Sequence, residues 1–161
     1  SNISRVIRTQ VFTNPDFTPH FSVLCMVSCG KDTGNFNFEK EELFKHLTAS
    51  YEILKKHYGL ERIWVEIIPC KGYDSQSPLI TSSLSYIRER NKDIEVSVVD
   101  PGYENNYYYG FRVKVKIVVN DVVYEIGDVG LLDWTRQLLA NRKERMLTTG
   151  IGFQLLHQIM K

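Results

Sequence analysis

At 161 residues, 43% apolar, 24% charged and 12% aromatic, the chain has the make-up of an ordinary globular domain long enough to bury a core. Twenty Lys and Arg against nineteen Asp and Glu leave a net charge of +1, which excludes a strongly electrostatic nucleic-acid binder and a polybasic membrane binder. No apolar run has the length of a membrane span and no signal peptide opens the chain, so no membrane partner and a cytoplasmic location are expected.

Ser1-Asn2 reads as an expression scar, after which the sequence enters a strand at once; a single domain over 1–161, cut from a longer protein, is the expectation. From Ile3 to Phe12, Val6, Arg8, Gln10 and Phe12 share one side of that strand. Thr13 to Pro19 is a loop with two prolines, and His20 to Cys29 is a near-continuous apolar run, as a central strand requires. Glu39 to Tyr58 repeats Leu43, Phe44, Leu47, Tyr51, Leu54 and Tyr58 at helical spacing, with Asn37 as N-cap and Gly59 as the stop. Arg62 to Ile68 is a short strand. Ser77-Pro78 opens a second helix that buries Ile80, Leu84 and Ile87, and Ile94 to Val99 is another strand.

Phe111 to Ile117 alternates strictly, which predicts a buried apolar face and a solvated basic face of Arg112, Lys114 and Lys116. Asn120-Asp121 predicts a tight hairpin, with Val122 to Ile126 returning. Gly127 to Gly130 is expected to end that strand and lead into a helix over Leu131 to Ala140, with Leu131, Thr135, Leu138 and Leu139 inside. Asn141 to Arg145 reads as a charged loop. Leu147 to Phe153 is a glycine-rich strand, and Gln154 to Met160 a last helix. Six or seven strands joined mostly by hairpins, with helices inserted, make an α+β domain on a mostly antiparallel β-sheet flanked by helices.

Cys25, Cys29 and Cys70 are odd in number and form no C-x-x-C pair, which fits a reducing compartment. Cys25 and Cys29 share one side of a strand, and His20 and Cys70 are conceivable further metal ligands. The simpler reading is three small buried hydrophobes in a sheet and no metal site.

Three stretches resemble the catalytic core of class II aminoacyl-tRNA synthetases. Ile7-Arg8-Thr9-Gln10, a loop and the strand from His20 are similar to the family's second motif. Gly34-Asn35-Phe36-Asn37-Phe38, the helix to Gly59 and Arg62-Ile63-Trp64-Val65 are similar to the alanyl enzyme. Thr148-Thr149-Gly150-Ile151-Gly152-Phe153 is similar to the glycine-rich third motif. Asn106-Tyr107-Tyr108-Tyr109-Gly110 and Asp133-Trp134 resemble stretches of the histidyl branch.

The resemblance implies a site that joins ATP, carried with Mg2+, to an amino acid as an adenylate, with tRNA as a further partner. Arg8 would grip the α-phosphate and the amino-acid carboxylate, with charge fixed where charge develops. His20, Val23, Leu24, Thr148, Gly150 and Gly152 would complete it, the glycines letting backbone approach a ligand. The motifs are incomplete. Val23 or Leu24 stands where the family has an adenine-stacking phenylalanine, and Cys25 where it has a glutamate. Thr148 replaces an aspartate, and Leu155 or Ile159 the arginine for the γ-phosphate. The first, dimer-forming motif is absent from the sequence.

Two functions follow. The first is a synthetase-like domain with a degenerate ATP and amino-acid site, acting as a binding or regulatory module with the rest of its parent protein or a partner subunit. The alternative is an active ATP-dependent aminoacyl-tRNA ligase completed by missing N-terminal sequence or a partner. Blander readings stand beside both: Arg8 as a surface arginine, His20 as a strand histidine, and Gly150 and Gly152 as marks of a close strand contact.

Overall fold

The structure, a computed structural model, describes residues 1–7, 19–100 and 107–161. Its elements in order are β1 (Asn2–Ile7), β2 (His20–Lys31), α1 (Asn37–Tyr58), β3 (Ile63–Pro69), α2 (Pro78–Arg90), β4 (Glu95–Val98), β5 (Tyr109–Val119), β6 (Val122–Leu132), α3 (Trp134–Leu138), β7 (Glu144–Gly152) and α4 (Phe153–Ile159). The strands form one seven-stranded sheet in the order β1-β2-β7-β6-β5-β3-β4. Every pairing is antiparallel except β3 with β4. This is the α+β class that the alternation and helix signals predict.

Helices α1 and α2 lie on one face. Leu43, Leu47 and Leu54 of α1 and Leu79, Ile80 and Ile87 of α2 are buried there with Val113, Val115, Val129, Leu147 and Ile151 of the strands. Gly59, at φ 65°, closes α1: its N–H bonds the Lys55 carbonyl, and the Leu60 N–H reaches back to Leu54. The start of α1 differs from expectation. Asn37 is its first helical residue and caps nothing, because Asn35 and Phe36 are both left-handed and turn the Asn37 N–H onto the Gly34 carbonyl at 3.0 Å.

The predicted strand break at Gly127–Gly130 does not occur. Strand β6 continues to Leu132, because β7 offers partners to Gly127, Asp128, Val129 and Gly130 in turn. The glycines answer to close approach instead: a Cβ on Gly127 would lie 2.8 Å from the Gly150 carbonyl oxygen. With Leu131 and Leu132 kept in the strand, the helix that follows has only five residues. Leu138 and Leu139, expected inside, are 83% and 63% exposed.

The hairpin at Asn120-Asp121 forms as predicted, with both residues at positive φ. Farther along it the register shifts by one: Val115 pairs with Gly127 but Lys116 with Glu125, so Ile126 is a bulge residue. Strand β4 is an edge, and Arg88 of α2 covers it by donating to the Val96 carbonyl at 3.0 Å. Arg145, expected in a loop, belongs to β7 and donates to Glu39 Oε1 at 2.9 Å and Asp32 Oδ2 at 2.5 Å. Of the cysteines expected inside, only Cys70 is buried; Cys25 is half-buried and Cys29 exposed. Among the described residues no helix is long and apolar enough to cross a membrane.

Candidate ligand-binding face

Directly paired residues in a sheet share a face, so the register sorts the predicted site residues. Val23 pairs with Gly152, Cys25 with Gly150 and Val27 with Thr148. These six stand on the face opposite α1 and α2, where Val27 is 52% exposed. Val23, Thr148, Gly150 and Gly152 are therefore brought together. Leu24 is not: it pairs with Ile151 and packs against the helix-side core. His20, at the exposed start of β2, pairs with Ile7 and has the same parity as Leu24. Arg8 lies outside the described residues.

A row of paired residues runs on across this open face. Gly150 faces Asp128, Asp128 faces Lys114, and Lys114 faces Glu66. Arg112 donates to Asp128 through Nε at 2.6 Å and Nη2 at 2.7 Å, a two-pronged contact, and to Glu125 at 3.3 Å. Lys114 bonds Glu125 at 2.6 Å and Lys116 bonds Glu66 at 2.7 Å. The predicted solvated basic face is thus a ladder in which three cations meet three carboxylates. Burial works against ionisation of Glu66. Hydrogen bonds from Lys116 and Trp64, with the Lys114 charge, nevertheless hold its carboxyl below the usual range.

Tyr108 lies flat on Gly130: a Cβ there would fall 2.3 Å from the Tyr108 Cδ1. Burial and the nearby Asp128 charge push its hydroxyl upward, so it stays protonated. Burial likewise pushes the Cys70 thiol to about 11, which makes it a poor nucleophile.

Below the site, a chain of hydrogen bonds ties α1 to β2 and β7. Ser28 Oγ donates to Glu42 Oε2 at 2.7 Å. It therefore has only a lone pair for His46 Nε2, 3.0 Å away, so Nε2–H donates to it. His46 Nδ1 then accepts from the Thr149 hydroxyl at 2.7 Å. Thr149, 1% exposed, is anchored from beneath between Thr148 and Gly150 of the open face.

Leu155 and Ile159 of α4 are partly buried against the core. The Leu155 Cβ and Cδ2 would lie 3.5 and 4.0 Å from a Cβ on Gly152, so this aliphatic side chain packs at the end of β7.

No protein-family model matches the sequence, and no curated protein does. Solved structures do match the fold. The histidyl-tRNA synthetase of S. aureus, in its apo form, superposes with a TM-score of 0.64 at 12% identity, over 88% of this chain and 40% of that one. A structure described as a threonyl-tRNA synthetase of Aeropyrum pernix gives 0.62 at 10% identity, over 88% and 36%. One described as the RNA binding domain of threonyl-tRNA synthetase from Cryptosporidium parvum Iowa II gives 0.64 at 11%, over 88% and 37%. The chain has a class II synthetase-like fold and spans about two fifths of the length of these neighbours.

Proposed function

We propose that the chain is a class II synthetase-like domain whose ATP and amino-acid site is degenerate, and that it serves as a binding or regulatory module of a longer protein in the cytoplasm. One observation carries this reading. On the face where Val23, Thr148, Gly150 and Gly152 gather, Arg112, Lys114 and Lys116 are each bonded to a carboxylate of the same sheet. Adenylate formation brings two anions together and needs uncompensated positive charge aimed at them. Leu155 and Ile159, where the resemblance expects an arginine, are committed to packing. Any Mg2+ would arrive with the nucleotide, since Asp128, Glu125 and Glu66 are each engaged by a cation. What the described part of this face offers a ligand is an aliphatic wall at Val23 and the partly exposed backbone of Gly150 and Gly152, to which the resemblance adds Arg8; this suits weak capture of an amino acid or adenylate.

Calorimetry with ATP and Mg2+, and with alanyl and histidyl adenylate analogues, tests this. The expected outcome is no ATP binding in the micromolar range. Micromolar binding that disappears in Arg8→Ala would overturn it and favour the ligase. Pyrophosphate exchange by the full-length protein, across the amino acids and with tRNA present, then decides whether that ligase is active.

A further inference from the structure

We propose that the surface formed by Tyr107, Trp134 and Leu138 docks a short acidic amphipathic helix of a partner protein. Trp134 and Leu138 are four residues apart on α3 and so lie on one side of it. The Tyr107 ring meets the Trp134 ring edge-on at 6.0 Å, which joins the three into one patch. They are 57%, 48% and 83% exposed, and Leu139 beside them is 63% exposed. Large apolar side chains concentrated on so short a segment are not what a monomer surface usually carries. Their exposure also has a definite origin. Strand β6 retains Leu131 and Leu132, so Leu138 and Leu139, the remainder of the leucine stripe, fall on and just past a five-residue helix and stay exposed.

Charge identifies the occupant. Past Leu139 the chain turns back at Ala140, and the Asn141 N–H bonds the Arg136 carbonyl at 3.1 Å. Arg142 and Lys143 follow at once, both exposed and neither bonded to a carboxylate among the described residues. An apolar patch whose chain leads within a few residues into two exposed cations complements leucines or phenylalanines on one helical stripe with glutamates at its flanks. A second copy of the chain fits less well, because its matching patch would bring the same two cations to the contact and so double the positive charge there. RNA fits less well too: the net charge is only +1, and Leu138 and Leu139 give a base nothing to stack on.

The probe is a fluorescein-labelled synthetic peptide with leucines on one helical stripe and glutamates on its flanks, titrated into the full chain. Saturable binding is expected, weakened about tenfold by Leu138→Asp, as loss of a central apolar anchor implies. The Arg142→Glu, Lys143→Glu double variant should weaken it by about threefold and remove its salt dependence. Both variants change exposed side chains, and circular dichroism checks that they fold; the charge variant reads independently should Leu138→Asp disturb α3. Absence of binding, or binding indifferent to both variants, overturns the proposal. So does a dimer in sedimentation that Leu138→Asp abolishes, or preferential binding of polyuridylate lost in Trp134→Ala.

Discussion

On the helix side of the sheet, β5 presents Phe111, Val113, Val115 and Ile117, each at most 1% exposed; the residues between them, on the open side, include Arg112, Lys114 and Lys116. One strand thus serves two environments. Full burial of an aliphatic side chain is worth about 1.5–3 kcal/mol. A partly exposed ion pair is worth about 0–1 kcal/mol. Stability therefore resides mainly under α1 and α2, and the open face has room to vary without unfolding the chain. The same division separates Leu147, Thr149 and Ile151 of β7 from Thr148, Gly150 and Gly152.

Adjacent residues of β7 give the largest expected contrast. Leu147→Ala empties a fully buried position and should lower stability by about 3 kcal/mol in thermal or urea denaturation. Thr148→Ala, one residue on and facing the other way, should cost about 0.5 kcal/mol or less. Equal losses would show that something covers the open face in solution. Next in size is Asp128→Ala, which strips the two-pronged partner from an Arg112 side chain only 17% exposed. A loss of about 1 kcal/mol is expected, and a double-mutant cycle with Arg112→Ala should recover most of it as coupling.

The helix side also holds buried titratable groups, Glu39 and His46 among them, and pH reveals His46. Burial lowers the proton affinity of His46 below the ordinary 6.5, against the opposing pull of Glu42; Lys45 and the amino terminus lower it further. The unfolded chain then takes up the proton first as pH falls. The His46 contribution is complete above 6.5 and is lost as pH drops toward the folded value. Denaturation midpoints on either side of 6.5 should show this slope, and His46→Gln should flatten it. Burial opposes ionisation of Glu42 as well. Hydrogen bonds from Lys45 and Ser28 still hold it below 4.5, so its own loss comes at lower pH and the two effects separate.

How far all this could be read from the sequence follows the same division. Strict alternation in β5, the leucine stripe of α1 and the Asn120-Asp121 turn are local signals, and each predicts its element. The synthetase-like fold was legible through the order of elements and the glycine strand. Glu125 and Asp128 were not legible as partners of Lys114 and Arg112. Three residues apart, they should face opposite ways, and only the bulge at Ile126 puts both on the open side. Gly127 and Gly130 read as a break because a glycine that ends a strand and one that admits a neighbour look alike in sequence. His46 was missed because its partners, Ser28 and Thr149, lie 18 and 103 residues away.

The smallest expected effect asks most directly whether the glycines of β7 serve the fold or a ligand. A Cβ on Gly150 would come within 3.3 Å of Val23 Cγ1, a tight contact with a side chain that has room to yield on an open face. Gly150→Ala should therefore cost less than about 1 kcal/mol, a shift of a few degrees in Tm for a chain of this size. Gly130→Ala is the control: its methyl would collide with the Tyr108 ring, and its loss should be clearly larger. If Gly150→Ala proves as damaging as Gly130→Ala, the glycine pair is there for strand packing alone. If it leaves stability nearly intact yet abolishes whatever adenylate or amino-acid binding calorimetry detects, the backbone beside Val23 is the contact surface.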